Sequence, residues 1–461
     1  MSKKIFAALI MFAIVMQAQL VFAEEHIEKI NTVIDGKMLI SSQFENISGL
    51  SNSGKAYASS AMMTETREHY PAIIAYDRIG IVSDHIAEYA IKLKVGPGKY
   101  DEIVITNFVK EKYPYRTTVT KAMDMSLGQS LTPILYREKA IEAAKNCDCA
   151  VFLIGRRENN INLGLGLNDS EINSIMKKWD NDQYLLDLYY GVVISKIQTG
   201  LLVRKNPDDV KVTVWGHSLG AKNWDDYDKM DYDKKPFGSI IQNIEVDMIM
   251  GYDPIYQDPI ATQSASYNEI KQAMNNGKFY SDEGATIIYM TSLAANPQTA
   301  NEKSELPGLT DYANIHVFRM MNFATWQFGS PYTPNFHYLD GDITELYNVD
   351  EQEMMAKILN GGVAPYTPLF EDLVVAGQLG GIPEFQTDAS KTDVDLIGMN
   401  FRGGMDYYGE YSVRQTAEIK NSLIVTTMWY NVGGHASIIF SENKKVDKFW
   451  RDTSKIVKEV K

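Results

Sequence analysis

Ser218 stands at the centre of Gly216-His217-Ser218-Leu219-Gly220, directly after the β-branched run 210–215. A strand that turns sharply into a helix at such a serine holds the hydroxyl exposed at the carboxyl end of a sheet. Glycines two positions away on either side relieve the steric clash of that turn, which is often strained. The chemistry implied is nucleophilic attack. A serine hydroxyl is a weak nucleophile until a base takes its proton, so a histidine has to come within hydrogen-bond reach.

The chain has seven histidines. His26, His69 and His85 precede the half of the sheet that would carry the chemistry, and the side chain of His217, inside the turn, cannot fold back to serve Ser218. His316, His337 and His435 are left. His435 follows Gly433-Gly434, after the last expected strand (423–429) and before an amphipathic terminal helix (446–460). The glycines would let that loop approach the site closely. His337, in Asn335-Phe336-His337-Tyr338, follows a strand-like run and is its main rival.

Gly216-His217-Ser218-Leu219-Gly220-Ala221 resembles the nucleophile motif of the lipase branch of the α/β-hydrolase family. The resemblance covers most of residues 100–255 and then 422–461. It implies an eight-stranded, mostly parallel sheet and a Ser–acid–His triad arriving in that chain order. It also places the catalytic His on the loop after the eighth strand, where His435 lies. Met250-Gly251-Tyr252-Asp253-Pro254 is similar to the strand end of pancreatic-type lipases whose Asp is the triad acid. Asp253 is therefore the expected acid. A strand expected at 286–291 runs into Thr291–Asn296 without a carboxylate, which removes the other usual position; Asp340 and Asp342 are the alternatives. The oxyanion hole would use the backbone N–H of Leu219 and a second N–H from the loop after a strand at 103–106, assigned to Phe108. Lipases usually have His-Gly in that loop; this chain has Asn107-Phe108-Val109.

The elements that must position these residues alternate. Ile79, Val82, Ile86, Tyr89, Ala90 and Leu93 recur at helical spacing. Apolar strands follow at 102–106, 150–154, 210–215, 244–252 and 286–291, with helices near 134–144 and from Asp182. His316 opens one further candidate strand. Such alternation predicts an α/β fold: an α/β-hydrolase arrangement with helices on both faces of a mostly parallel sheet. The stretch 293–422 is richer in Gly, Pro and Tyr and reads as an inserted cap or lid, within a single domain spanning 24–461. Its tyrosines would suit an acyl pocket.

A basic start at Lys3 and Lys4, an apolar run and small residues up to Ala23 read as a signal peptide over residues 1–23. The expectation is a secreted or periplasmic protein, with no membrane span after cleavage. Its 461 residues carry a net charge of −14, which argues against nucleic acid as a partner and against electrostatic docking on anionic lipid. Cys147 and Cys149 read as structural, and no cofactor or zinc site is assembled around them. The run Asp225–Asp233 holds five carboxylates without EF-hand spacing and reads as a solvated insertion rather than a calcium site. The leading expectation is a serine hydrolase of carboxylic esters, with a small-molecule or lipid ester substrate. A catalytically silent binding protein, or a peptidase or amidase of the same fold, stays open.

Overall fold

The computed structural model describes strands between residues 29 and 94, then 98–110, 121–203, 205–234, 245–252, 261–304, 351–385, 396–401, 425–430, 437–440 and 444–460, with a few isolated positions besides. Ten strands form the central sheet: β1 (Lys29–Val33), β2 (Ile73–Ser83), β3 (Ile86–Lys94), β4 (Glu102–Lys110), β5 (Lys121–Ser126), β6 (Ala150–Ile154), β7 (Lys211–His217), β8 (Met248–Tyr252), β9 (Leu396–Phe401) and β10 (Val425–Tyr430). Their spatial order is β1-β2-β3-β4-β6-β5-β7-β8-β9-β10. From β6 to β10 every neighbouring pair is parallel. β4 runs antiparallel to both β3 and β6, and β1 and β2 extend the sheet antiparallel. The expected mostly parallel sheet is present, wider by two strands than the eight implied.

Parallel strands buried on both faces read as unbroken apolar runs, as Ala150-Val151-Phe152-Leu153-Ile154 does. The two-residue period assigns their side chains to two cores. Met123, Met125, Val151, Leu153 and Trp215 face helices α1 (Pro133–Cys147) and α6 (Lys444–Glu459). Ala122, Phe152, Ile154, Val212 and Val214 face α2 (Asn181–Val203). Trp450 of α6 lies 5.2 Å from Trp215 and donates its indole N–H to the carbonyl of Ile438 at 3.3 Å. Burial of a ring this size contributes about 3 kcal/mol, enough to anchor the terminal helix beneath β7, the strand that leads into Ser218. Cys147 and Cys149 are joined by a disulfide just before β6.

The structure departs from the expected elements in four places. The helical spacing between Ile79 and Leu93 belongs to the hairpin strands β2 and β3. There Ile91, Leu93 and Val95 are buried at a period of two, because sheet pairing overrides a weak helical pattern. The segment expected as a strand at 286–291 is helix α4 (Glu283–Ala295), which buries Gly284, Ile288, Thr291 and Ala294 along one stripe. β5 corresponds to no strand expected from the sequence. Finally, β9 comes from within the 293–422 range assigned to an insert and pairs between β8 and β10, so that range is not wholly a cap.

Candidate active site

β7 ends at His217, helix α3 (Leu219–Lys229) begins at Leu219, and Ser218 is the whole of the connection. Its backbone has φ 55° and ψ −119°. A non-glycine residue with positive φ outside the left-handed helical well is strained and persists only where its surroundings force it. The surroundings here are the two glycines. A Cβ on Gly216 would lie 2.4 Å from the nitrogen of Ala221. One on Gly220 would lie 2.5 Å from Ser126 Oγ and 2.7 Å from the Leu127 carbonyl oxygen. The strand end, the helix start and the end of β5 are therefore packed backbone to backbone around Ser218, itself only 4% exposed. The N-terminal amides of α3 open at the same point, where unsatisfied N–H groups favour negative charge.

His217 is buried, and its Nδ1 lies 2.5 Å from the hydroxyl of Tyr136 on α1. Burial pushes the Tyr136 phenol well above its ordinary range, opposed in part by the backbone N–H of Gly128. The Tyr136 hydroxyl thus stays protonated and ties α1 both to the turn and to the loop after β5.

That loop, Leu127-Gly128-Gln129, crosses beside the turn. A Cβ on Gly128 would lie 3.6 Å from His217 Nδ1. The loop is braced from the far side as well: Ala364 N–H donates to the Ser130 carbonyl at 2.8 Å, and Thr132 Oγ1 donates to the Gly361 carbonyl at 2.6 Å. Helix α5 (Leu369–Leu379) then lies against both, with Val374 and Val375 packed on Leu219 and Asp372 accepting from the Gln129 amide.

Beneath the loop is a buried charge network. Arg156, two residues past β6, pairs with Glu371 at 2.7 Å and with Glu158 at 3.0 Å, and donates to the Leu127 carbonyl at 3.3 Å. Its guanidinium stacks 4.5 Å from the Tyr184 ring centre, whose hydroxyl donates to Glu158 at 2.5 Å. Two carboxylates share one guanidinium. Burial raises Glu371 to about 8 against the pull of Arg156, with Glu158 adding repulsion. Burial likewise raises Asp372 to about 6, offset in part by Gln129. For an acid with a raised folded pKa the native state binds more protons than the unfolded one. Stability is then full below the unfolded value of 4.5 and is lost as pH climbs through about 8. Urea unfolding at pH 5 and pH 9 should show that loss, on the order of 2–4 kcal/mol, and Glu371→Gln should remove most of it. Equal slopes in both proteins would refute the assignment.

The remaining site expectations divide. Leu219 is at the start of α3, in the place expected for an oxyanion donor. Phe108 is not on a loop: it lies inside β4, fully buried, paired with Glu88 and Val151. β4 is three strands from β7, roughly 14 Å at ordinary strand spacing, so the Phe108 N–H lies away from Ser218. Asp253, His435, His337, Asp340 and Asp342 lie outside the described residues. Chain order still bears on two of them. β8 ends at Tyr252, the register partner of His217, one residue before Asp253. β10 ends at Tyr430, five residues before His435. The segment expected as a strand at 286–291, which left Asp253 as the acid, is a helix; beside β8 in the sheet lies β9, and the first carboxylate after β9 is Asp406.

The acidic run is not a solvated insertion. Asp225 and Asp228 are each 1% exposed, Trp224 donates to the Trp215 carbonyl at 3.1 Å, and Lys229 pairs with Asp225 at 3.3 Å. This is helix α3 and the turn after it, packed against β7. Among the described residues no cluster of three or more His, Cys, Asp or Glu side chains is arranged to hold a metal ion. Nor is any described helix long and apolar enough to cross a membrane.

No protein-family model matches the chain, and no curated protein matches it in sequence. Solved structures do. A candidate lipase from Sulfolobus solfataricus is 15% identical with a TM-score of 0.54, over 85% of this chain and all of that one. A soluble variant of the monoglyceride lipase from Saccharomyces cerevisiae is 13% identical with a TM-score of 0.42, over 77% and 91% of the two chains. An esterase from Pyrobaculum calidifontis is 11% identical with a TM-score of 0.41, over 81% and 82%. Together with the sheet and its flanking helices, the first likeness establishes the fold as that of the α/β-hydrolases.

Proposed function

We propose that this chain is a serine hydrolase acting on carboxylic esters, with lipid or other acyl esters as substrates, exported after removal of residues 1–23. The observation that carries the reading is the backbone of Ser218, held at φ 55° between β7 and α3 by glycines that leave no room for a Cβ. Strain of this kind is retained where a hydroxyl has to be presented rather than packed.

In the proposed reaction, Ser218 Oγ attacks the ester carbonyl while His435 takes its proton. Asp253 holds the imidazole in the required tautomer. The carbonyl π electrons move onto oxygen, and that oxyanion is met by the N–H of Leu219 and by an N–H from the loop between β5 and α1, residues 127–129, in place of Phe108. Collapse expels the alcohol, which takes the proton from His435. Water, deprotonated by the same His, then releases the acid and restores Ser218. Val374, Val375 and Phe370 on α5 give an apolar wall next to Leu219, which suits an acyl chain.

The test is covalent. A fluorophosphonate probe should label the purified protein, and Ser218→Ala should abolish the label. A well-folded wild-type protein with no Ser218-dependent labelling would replace this reading with that of a catalytically silent binding protein. Labelling with turnover of amides but not esters would move it to the amidases.

A further inference from the structure

We propose that Arg156 is a positioning residue for this hydrolysis. Its guanidinium joins the Leu127 carbonyl to Glu371 at the head of α5, so that the loop bearing the second oxyanion donor and the helix packed on Leu219 are held as one body. The inference rests on the serine-hydrolase reading of Ser218.

The geometry argues for it from the peptide outward. The Leu127 carbonyl oxygen is close enough to the turn to exclude a Cβ from Gly220. A carbonyl dipole turned toward Ser218 would oppose negative charge developing there. Arg156 Nη1 takes that oxygen at 3.3 Å. Because a trans peptide is planar, drawing the carbonyl one way commits the Gly128 N–H to the other. That N–H faces the Tyr136 hydroxyl, which is bonded to His217. One peptide plane is thereby fixed from both sides, leaving Leu127 or Gln129 to supply the N–H that meets the oxyanion.

The second half of the device is α5. Arg156 Nε and Nη2 both reach Glu371 Oε1, at 3.1 and 2.7 Å, while Nε also reaches Glu158. The neighbouring Asp372 accepts from Gln129 of the same loop. Helix and loop are thus tied at two adjacent positions, and Val374 and Val375 rest on Leu219, the first donor. Arg156 is buried, and its hydrogen bonds go to Leu127, Glu158 and Glu371 rather than to Ser218, so its effect is on where the donors point. Only a planar fork reaches the carbonyl and the carboxylates together; a lysine ammonium is a single point charge on a flexible stem.

The experiment compares Arg156→Lys with wild type on three readouts: p-nitrophenyl butyrate kinetics, inhibition by phenylboronic acid, and the thermal midpoint. Phenylboronic acid adds to a serine oxygen and presents a tetrahedral anionic group to the oxyanion donors. Arg156→Lys should lower kcat about 10–100-fold, leave KM within about threefold, and weaken phenylboronic acid by the same factor as kcat/KM. Fold loss alone would lower the active fraction without changing the boronate constant of the molecules that remain. Folded Arg156→Lys with kcat and boronate affinity near wild type, or with only KM changed, would overturn the proposal. Should Arg156→Lys not fold, Gln129→Ala cuts the second tie from the partly exposed side of the loop. A smaller parallel loss in kcat and boronate affinity is then expected, and no change in either would overturn the proposal. Wild-type protein without Ser218-dependent labelling removes the hydrolase reading, and this inference with it.

Discussion

His435→Ala should lower kcat for p-nitrophenyl esters by about 10⁴- to 10⁶-fold, while His337→Ala stays within about threefold of wild type. Members of a Ser–His pair act as a unit, so losing the base costs nearly as much as losing the nucleophile, and the residue left over comes from binding and the oxyanion donors. The expectation rests on topology. β10 is parallel to β9 and ends at Tyr430, so the chain that follows leaves the sheet at its carboxyl edge, the edge from which β7 delivers Ser218. His435 follows that strand by five residues, beside two glycines, and precedes the helical segment Ser437–Phe440. The reverse pattern, with His337→Ala inactive and His435→Ala active, would reassign the base. The acid is tested on the same footing. Asp253→Asn should cost on the order of 10⁴-fold in kcat, since the amide favours the wrong tautomer of the imidazole. Asp406→Asn should cost little; a large loss there instead would place the acid after β9.

How far the sequence discloses this site depends on where each residue's signal is local. Ser218 and its glycines are legible because the motif is local and its constraint steric: Gly216 meets Ala221 five residues on, while Gly220 leaves room for the end of the strand alongside. Strands β6 and β7 are legible for a similar reason, being apolar runs buried on both faces. β5 hides because Asp124 interrupts its run. In the folded chain that carboxyl is fully buried and accepts from Ser195 at 2.8 Å, a pairing across 71 residues that no local pattern announces. With β5 unread, the strand whose end points to a donor is β4 at Phe108, which the sheet places three strands from β7. Arg156 hides too: Arg156-Arg157 after a strand has the look of a solvated charge pair until Glu371, far along the chain, is brought to Arg156. The acidic run misled in the opposite direction. Its carboxylates suggest solvent, yet Trp224 and Tyr227 are what decide its placement, both fully buried with rings 5.4 Å apart.

The turn at Ser218 also predicts its own fragility. Gly216→Ala should destabilise the fold by on the order of 3 kcal/mol and abolish probe labelling in whatever protein remains folded. The added methyl would meet the nitrogen of Ala221 at 2.4 Å and its Cα at 2.5 Å, both backbone atoms in the first turn of α3. A flexible side chain could swing aside; a helix backbone cannot. To make room α3 would have to slide away from β7, and it is held there by Trp224, whose indole donates to the Trp215 carbonyl, and by Val374 and Val375 against Leu219. Any movement that spares the fold carries the Leu219 N–H off the position proposed for it, so stability and reactivity should fall together. Gly164→Ala is the matched control: its methyl would meet only the end of the Asn162 side chain, at 3.1 Å, and should change stability by less than about 1 kcal/mol. Urea unfolding and fluorophosphonate labelling of the two variants side by side decide the matter. A Gly216→Ala protein as stable and as reactive as the Gly164→Ala control would mean that the backbone around Ser218 is not the close-packed turn on which the hydrolase reading stands.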